Sequence, residues 1–538
     1  MGVPLGEPLP PSGLPDASDD HRVDLGGEDH VRQRCNKTAE RATALLRKLS
    51  ELPTLALPHL PAAQLSALLL RMCGCGKLTH LLRSTPPSTA REAAVSYDRA
   101  LLDCYRELAA LDAFSPAEAS QCQLPLRDGG RGLRSQERLA PAAWLASWAQ
   151  CLSQVLLRTN LEELTNLETC TLPLAQHCRD ALAALPPALP SEREEETTNP
   201  LDWREWALRP RKKLQKLLSK RLDEKQHADL LTALDAPERA RLHSCAGPLA
   251  AAWQWASPGN LGEKLEDEEY CTTARALLGQ PVAPAAATCQ NRARTGPTAG
   301  QPCGEPLCAH ANHAHKCPRG GGLKVRSEDV ESVLESIHVE RGYTVDRQVH
   351  VPQWNRWRWR CRPCDRKGTT WDHPGAPCAH CNAAVEVELE EAILDLDVRC
   401  ARIPRTLIDV TVRYSVPGGE RQLADAARGP GAVNHTAELD KRLRYADGRT
   451  PWQVVPFAVE TCGRLGPAAL KHLRGLARAR AQGLADGGDA AVSALLLRWA
   501  ARLSTALHRS NASRLRSALG AAEPARQRAR DLAADLAK

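Results

Sequence analysis

Between Cys289 and Lys441 lie two groups of cysteines and histidines and one pair of aspartates, most of the residues here that could do chemistry. The most specific pattern is Cys361-x2-Cys364, thirteen residues, then Cys378-x2-Cys381. Two such pairs can converge tetrahedrally on one Zn²⁺ ion, each tight turn supplying two thiolates. Pro363, Gly368, Pro374, Gly375 and Pro377 provide the chain reversals this needs. A redox Cys-x-x-Cys is the competing use, but two pairs at zinc-ribbon spacing favour structural zinc.

The second group is Cys289, Cys303, Cys308, His313 and Cys317, with His310 and His315 close by. Zinc needs four sulfur or nitrogen donors, and this segment offers five or more. Gly304 and Gly320 to Gly322 permit tight turns around them. The spacing is irregular for a zinc finger, so a loop with free thiols is the alternative, and either Cys289 or Cys308 could complete the set.

Just beyond, EEAILDLDVRCARIPRTLIDVTVRY (Glu390 to Tyr414) alternates as two strands of a hairpin. Leu394, Leu396 and Val398 alternate with Ile393, Asp395 and Asp397; Ile408, Val410 and Val412 alternate with Leu407, Asp409 and Thr411. Asp395 and Asp409 then project from strands that pair, where two carboxylates can hold Mg²⁺. Periodicity alone favours the blander explanation, a polar outer face. Lys441, on a following helix, could bring a cation beside a phosphate, and Glu460 ends the strand-like PFAVE before a turn at Gly463. No Ser/His/Asp or Cys/His nucleophilic arrangement stands out.

Leading into the ribbon is WNRWRWRCR. On a strand, Arg356, Arg358, Arg360 and Arg362 share one face, while Trp357, Trp359 and Cys361 share the other. Aligned arginines repel unless an anion neutralises them, and nucleic-acid phosphate is a natural candidate, with tryptophans free to stack on bases or pack inward.

The elements that must position these residues are mostly helical. The 538 residues allow three or four domains, and 43% hydrophobic with 25% charged residues is ordinary for a globular chain. A net charge of +7 permits nucleic-acid binding without requiring it. The start has no basic and apolar signal segment, and no apolar run approaches membrane length, so a soluble intracellular protein with metal-bound or buried thiols is expected. Residues 1–22 read as disordered, 23–185 as helical, 186–200 as an acidic linker and 201–288 as a helical connector. A knuckle follows at 289–322, then a mixed sheet at 323–480 with the ribbon 354–384 inserted, and C-terminal helices at 481–538. QLPLRDGGRGLRS reads as a structural tight turn rather than a phosphate loop. RPRKKLQKLLSKR (Arg209 to Arg221) reads as a basic amphipathic helix whose charged face is either solvated or a nucleic-acid contact.

Together these segments resemble the C-terminal part of non-LTR retrotransposon polyproteins, downstream of the polymerase palm. LLRSTPP and LPLRDGGRGLRS are similar to the helices after the polymerase, and RLHSCAGPLAAAWQWASP to the connector before the knuckle. CGEPLCAHANHAHKCPRGGG is similar to the family's C-G-x3-D-x4-H-A-x2-C knuckle. That resemblance implies Cys289, Cys303, His313 and Cys317 as ligands, with Cys308 a surplus or competing one. Asp395 and Asp409, with thirteen residues between them, match the D-x12–14-D signature of the family's restriction-like endonuclease. The resemblance thus implies a multidomain chain, α plus α/β: an N-terminal helical region, zinc-knuckle and zinc-ribbon elements, and a restriction-endonuclease-like mixed sheet flanked by helices. It also implies Mg²⁺-dependent DNA cleavage assisted by Lys441, two zinc sites, contact with DNA and with the parent element's RNA, and a nuclear location. No membrane and no small-molecule cofactor are implied.

Three positions depart from the family pattern. Arg326-Ser327-Glu328 stands where it has Arg-His-Asn, a position at which Arg326 would make a nucleic-acid contact; Leu394 replaces the proline before the first aspartate; and the ribbon cysteines are additional. Tyr445-Ala446-Asp447-Gly448 has only a superficial likeness to a polymerase box. A non-catalytic, zinc-dependent nucleic-acid-binding remnant is the rival expectation.

Overall fold

The computed structural model describes residues 27–521 except 56–60, 159–161, 188–202, 204–212, 373–374, 401–402, 446–449 and 484–487. The expected disordered start, nearly all of the acidic linker, Arg209 to Lys212 of the basic segment and Ala446 to Gly448 lie outside the described residues.

Proline and capping side chains set where the N-terminal helices begin. After α1 (Glu28–Glu51), α2 (Ala62–Leu69) and α3 (Thr79–Ser84), Pro87 opens α4 (Pro87–Leu108) at its first turn, where a missing N–H costs nothing. Ser115 and Glu118 form a reciprocal capping box on α5 (Pro116–Gln123). Helices α6 (Gln136–Arg158), α7 (Pro173–Ala183), α8 (Leu214–Ala233), α9 (Ala236–Cys245) and α10 (Asp267–Leu278) complete this half. One core joins Leu46, Tyr97, Leu101 and Tyr105 to Trp253 and Tyr270. A second packs Trp144, Leu145 and Leu152 on Leu214 and Leu218. The GGRG segment is a tight turn: Gly129 and Gly132 have left-handed φ, and a Cβ on Gly130 would lie 2.0 Å from the Leu124 carbonyl oxygen.

The C-terminal half begins with the short α11 (Asn312–Lys316) and α12 (Gly322–Glu340). Strands β1 (Thr344–His350), β5 (Ile393–Cys400), β6 (Ile403–Arg413) and β7 (Gln453–Glu460) form one sheet in the order β1-β5-β6-β7. The β1–β5 and β5–β6 pairs are antiparallel and β6–β7 is parallel, so α13 (Glu420–Arg428) and α14 (Ala432–Arg444) make the crossover. Because β1 pairs directly with β5, residues 351–392 leave the sheet and return to it. They carry a three-stranded antiparallel sheet, β3-β2-β4, of β2 (Arg356–Arg360), β3 (Lys367–Thr370) and β4 (Glu386–Glu390).

Leu396, Val398, Ile408, Val410 and Phe457 pack against Val330, Leu334 and Ile337 of α12 and against α15 (Pro467–Ala481) and α16 (Asp489–Ala518). Leu407 instead joins Trp354, Leu394 and Tyr445. Helix α16 is long and apolar enough to cross a membrane by length and composition. Its apolar residues are nonetheless those of a central helix: Trp499, Leu503 and Leu507 are buried against the sheet layer, and Leu515 against the Cys289 segment. The architecture is thus mixed helix and sheet, with two small sheets and two cysteine-rich clusters.

Candidate functional site

The ribbon cysteines are gathered by two turns of the same design. Cys361 N–H donates to Arg366 O and Cys378 N–H to Ala383 O, each at 2.8 Å. Four residues after each of these cysteines the chain takes a left-handed conformation, at Asp365 (φ 51°) and Asn382 (φ 54°), residue types that tolerate it. The ligand atoms of Cys361, Cys364, Cys378 and Cys381 all lie within 4.8 Å of one another. The Sγ separations are 3.3 Å for Cys361–Cys381 and 3.6 Å for Cys364–Cys378. Thiolates around zinc at Zn–S distances of about 2.3 Å stand about 3.8 Å apart, so the set is closed to roughly the right size. Backbone N–H groups of His380 and Cys381 pull the Cys378 thiol down, toward the thiolate that binds metal.

In the other cluster, Cys289, Cys303, His313 and Cys317 converge within the same 4.8 Å limit. Cys289 and Cys317 are 3.8 Å apart at sulfur, and Cys303 Sγ is 3.4 Å from His313 Nε2. Gly304, at φ 76°, turns the chain so that its N–H donates to Cys289 O. Both clusters could therefore hold a metal such as zinc. Cys308 is the correction. It is exposed, its sulfur accepts the Asn312 backbone N–H at 3.3 Å, and it stands outside the converging set, with Cys289 filling the fourth place.

The aspartates meet across β5 and β6. One step past the Leu396–Ile408 pair, the register sets Asp395 opposite Asp409. Asp395 Oδ2 accepts the Val410 N–H at 2.6 Å, while Lys441 Nζ lies 2.8 Å from each Asp409 oxygen. The Tyr445 hydroxyl donates to Asp409 Oδ2. These groups line a cleft of about 690 Å³ with Glu331, Gln348 and Arg444. Gln348 donates to Asp395 at 3.3 Å and to Glu331 at 3.4 Å. Its own backbone has φ 53°, an uncommon conformation for glutamine that bends its side chain toward the acids. Burial, then the charges of Asp409 and Glu331, push the Asp395 carboxyl up to about 7. Asp409 pairs with Lys441 and Glu331 with Arg347, whereas among the described residues Asp395 forms no ion pair.

Other expected site residues fall elsewhere. Glu460 pairs with Arg413, four residues beyond the Asp409–Pro456 pair and roughly 13 Å along the strand. It is buried, receives the Asn434 N–H, and burial raises its carboxyl to about 7. Arg326 is buried too; its guanidinium donates to Asn511 and the Val412 carbonyl, and burial lowers it to about 9. An arginine so enclosed has no surface from which to meet nucleic acid. The strand arginines are exposed or half-buried, but the chain supplies their anions. Arg356 and Arg358 pair with Glu390, at 2.6 and 2.8 Å; Arg360 pairs with Asp365 and Arg362 with Glu386, each at 2.6 Å. Trp357 and Trp359 sit opposite Leu389 and Val387 on the other face, and the Trp359 ring covers Gly368. The glutamates of VEVELEE carried that signal in the sequence.

Glu331, Gln348 and Tyr445 are the cleft residues that motif spacing did not reveal. Glu331 is an ordinary helix residue by pattern, and nothing local in the sequence marks the bend at Gln348. No family model matches the sequence, and no curated protein matches it.

Proposed function

We propose that this chain is a zinc-containing, Mg²⁺-dependent DNA endonuclease with a restriction-like catalytic centre, of the type carried by non-LTR retrotransposon polyproteins. The observation that carries it is the opposition of Asp395 and Asp409 across paired strands, with the Lys441 ammonium against the second acid. A four-stranded mixed sheet with its acids on two adjacent strands and helices packed against it supports the restriction-like reading of the fold.

The donor set suits a hard divalent cation: oxygen ligands from Asp395 and Asp409, with Glu331 behind them, and an Asp395 that burial and the charges of Asp409 and Glu331 hold against ionising until a cation joins it. When bound there, Mg²⁺ supplies an activated water and charge stabilisation for phosphodiester hydrolysis. Asp395 and Asp409 would hold it. Gln348 and the Val410 N–H orient Asp395; Tyr445 orients Asp409. Lys441 faces the cleft with an ammonium that can shift to a phosphate oxygen once Asp409 is engaged elsewhere. The zinc clusters brace the segments on either side. DNA is the substrate in this proposal, the parent element's RNA a further partner, and the nucleus the place of action.

A plasmid-nicking assay with Mg²⁺ tests it. The parent nicks supercoiled DNA, and Asp409→Ala lowers the rate roughly a hundredfold or more, as loss of a metal-holding acid does. Equal rates in the two proteins would remove the catalytic reading. The rival, a non-catalytic zinc-dependent binding protein, draws on one observation: Lys441 and Tyr445 already engage both oxygens of Asp409. That rival predicts no Mg²⁺-dependent nicking in the parent either.

A further inference from the structure

We propose that the N-terminal helical half carries a separate nucleic-acid contact, a basic cleft that takes the phosphate backbone of duplex DNA. The cleft, about 720 Å³, opens between Arg83 on α3, the turn at 125–134 and the first two turns of α8. Its cations are Arg83, Arg127, Arg134, Lys213, Lys216 and Lys220, and Asp223 is the carboxylate among its lining residues. Asp223 is buried and already shared, 2.7 Å from Arg134 and 3.6 Å from Arg127. Lys220 pairs with Glu224 at 3.6 Å.

Arg83 is held differently. Its guanidinium donates to the amide oxygens of Gln215 at 2.6 Å and Gln150 at 2.8 Å, so it is oriented without being neutralised. Among the described residues, Arg83, Lys213 and Lys216 form no ion pair with a carboxylate. Lys216 and Lys220 share one face of α8 at i, i+4 spacing, and Lys213, the left-handed residue (φ 65°) just before the helix, lines the same cleft. Leu214 and Leu218, buried in the core with Trp144 and Leu152, hold that face outward. Cations gathered in a concave surface repel until an anion enters, and a polyanion gains further by releasing its own counterions.

Among the described residues the lining has cations but no aromatic ring on which an unstacked base could lie, which favours phosphate contacts along a duplex over stacking with a splayed single strand. The choice of DNA rests on the endonuclease reading; the charge arrangement does not.

The test uses the full chain carrying Asp409→Ala, without Mg²⁺, and a fluorescent DNA duplex followed by anisotropy from about 50 to about 200 mM salt. Lys213→Glu with Lys216→Glu in that background is expected to weaken binding roughly tenfold or more near 0.1 M salt. The slope of log affinity against log salt should fall by about 2, near 0.9 for each lost phosphate contact. Lys213→Gln with Lys216→Gln, which adds no repulsion, should give the same slope change with a smaller loss. Unchanged affinity and slope in both double variants overturn the proposal. A loss seen only with single-stranded RNA of the same length overturns it as well. The readout involves no cleavage, so a failed nicking assay leaves this result standing.

Discussion

At the scale of single residues, Asp395 makes the sharpest demand. Buried beside Asp409 and Glu331, it keeps its proton up to about pH 7, whereas in the unfolded chain it ionises at about 3.9. Between those values the folded state binds more protons. The stability this provides is therefore fully present below about pH 4 and is lost as pH rises through about 7. Asp395→Asn keeps an acceptor for the Val410 N–H and removes the charge. Its melting temperature should exceed the parent's at pH 8 by roughly 2–4 °C, the shift about 1 kcal/mol gives in a domain of this size, and match it near pH 4. Thermal melts in chelator at the two pH values check this, and no difference at pH 8 would mean Asp395 ionises freely. The same proton competes with a cation, so Mg²⁺-dependent nicking should rise with pH through about 7. Asp397 is a useful contrast. Two residues along the same strand, it is buried against Arg405 and Arg399 at 2.8 and 3.0 Å. Alternation treats Asp395 and Asp397 alike; their neighbours in space make one a cleft acid and the other half of an ion-pair network.

At the scale of elements, contacts between helices and strands decide what each surface is free to do. The joint between α12 and α15 depends on a histidine pair. His338 Nδ1 lies 2.7 Å from Leu334 O and so donates its proton there, leaving Nε2 to accept from His472 Nε2 at 2.9 Å. A proton added to His338 would set two N–H groups against each other. Burial lowers both histidines, His472 to about 3 with the neighbouring His338 adding to the effect. With folded values below the unfolded value of about 6.5, the stability they provide is complete above that pH and is lost as pH falls below it. His472→Gln keeps a donor for His338 but cannot titrate, so its melting temperature should fall less steeply than the parent's between about pH 6.5 and about pH 4.5. Parallel slopes would exclude the pair from acid sensitivity. The ribbon strand carries the same lesson. The arginine face of β2 alone suits phosphate, yet β4 brings Glu386 and Glu390 beside it. Exposed ion pairs of this kind contribute little stability and can be exchanged, so they make the ribbon neutral without making it rigid.

At the scale of the whole molecule, the two cysteine clusters have unequal reach. The ribbon cluster closes a small sheet that projects between β1 and β5. Cys289 and Cys317, by contrast, are buried with Leu307, Leu515 and Ala518, which ties the knuckle to the last turns of α16 and through it to both halves of the chain. Purified protein should carry two zinc ions, and each single-site variant one. Cys378→Ser should leave the main melting transition nearly unchanged. Cys289→Ser should broaden it or shift it down by roughly 10 °C or more, because a structural zinc site contributes directly to folding. Calorimetry with metal analysis checks this, and equal effects of the two variants would refute the assigned asymmetry.

Much of this was legible in the chain itself. The paired Cys-x-x-Cys turns, the alternation that builds β5 and β6, the proline that opens α4 and the thirteen residues between Asp395 and Asp409 are local patterns, and local patterns follow from backbone geometry. Four features needed the tertiary structure. It chose Cys289 over Cys308, buried Arg326, set Glu460 four residues down the parallel register from Asp409, and brought Glu331, Gln348 and Tyr445 to the acids. Each of these depends on which distant residues become neighbours. Spacing determines which side chains share a strand or a helix face, but burial and charge are properties of the partners that the fold supplies.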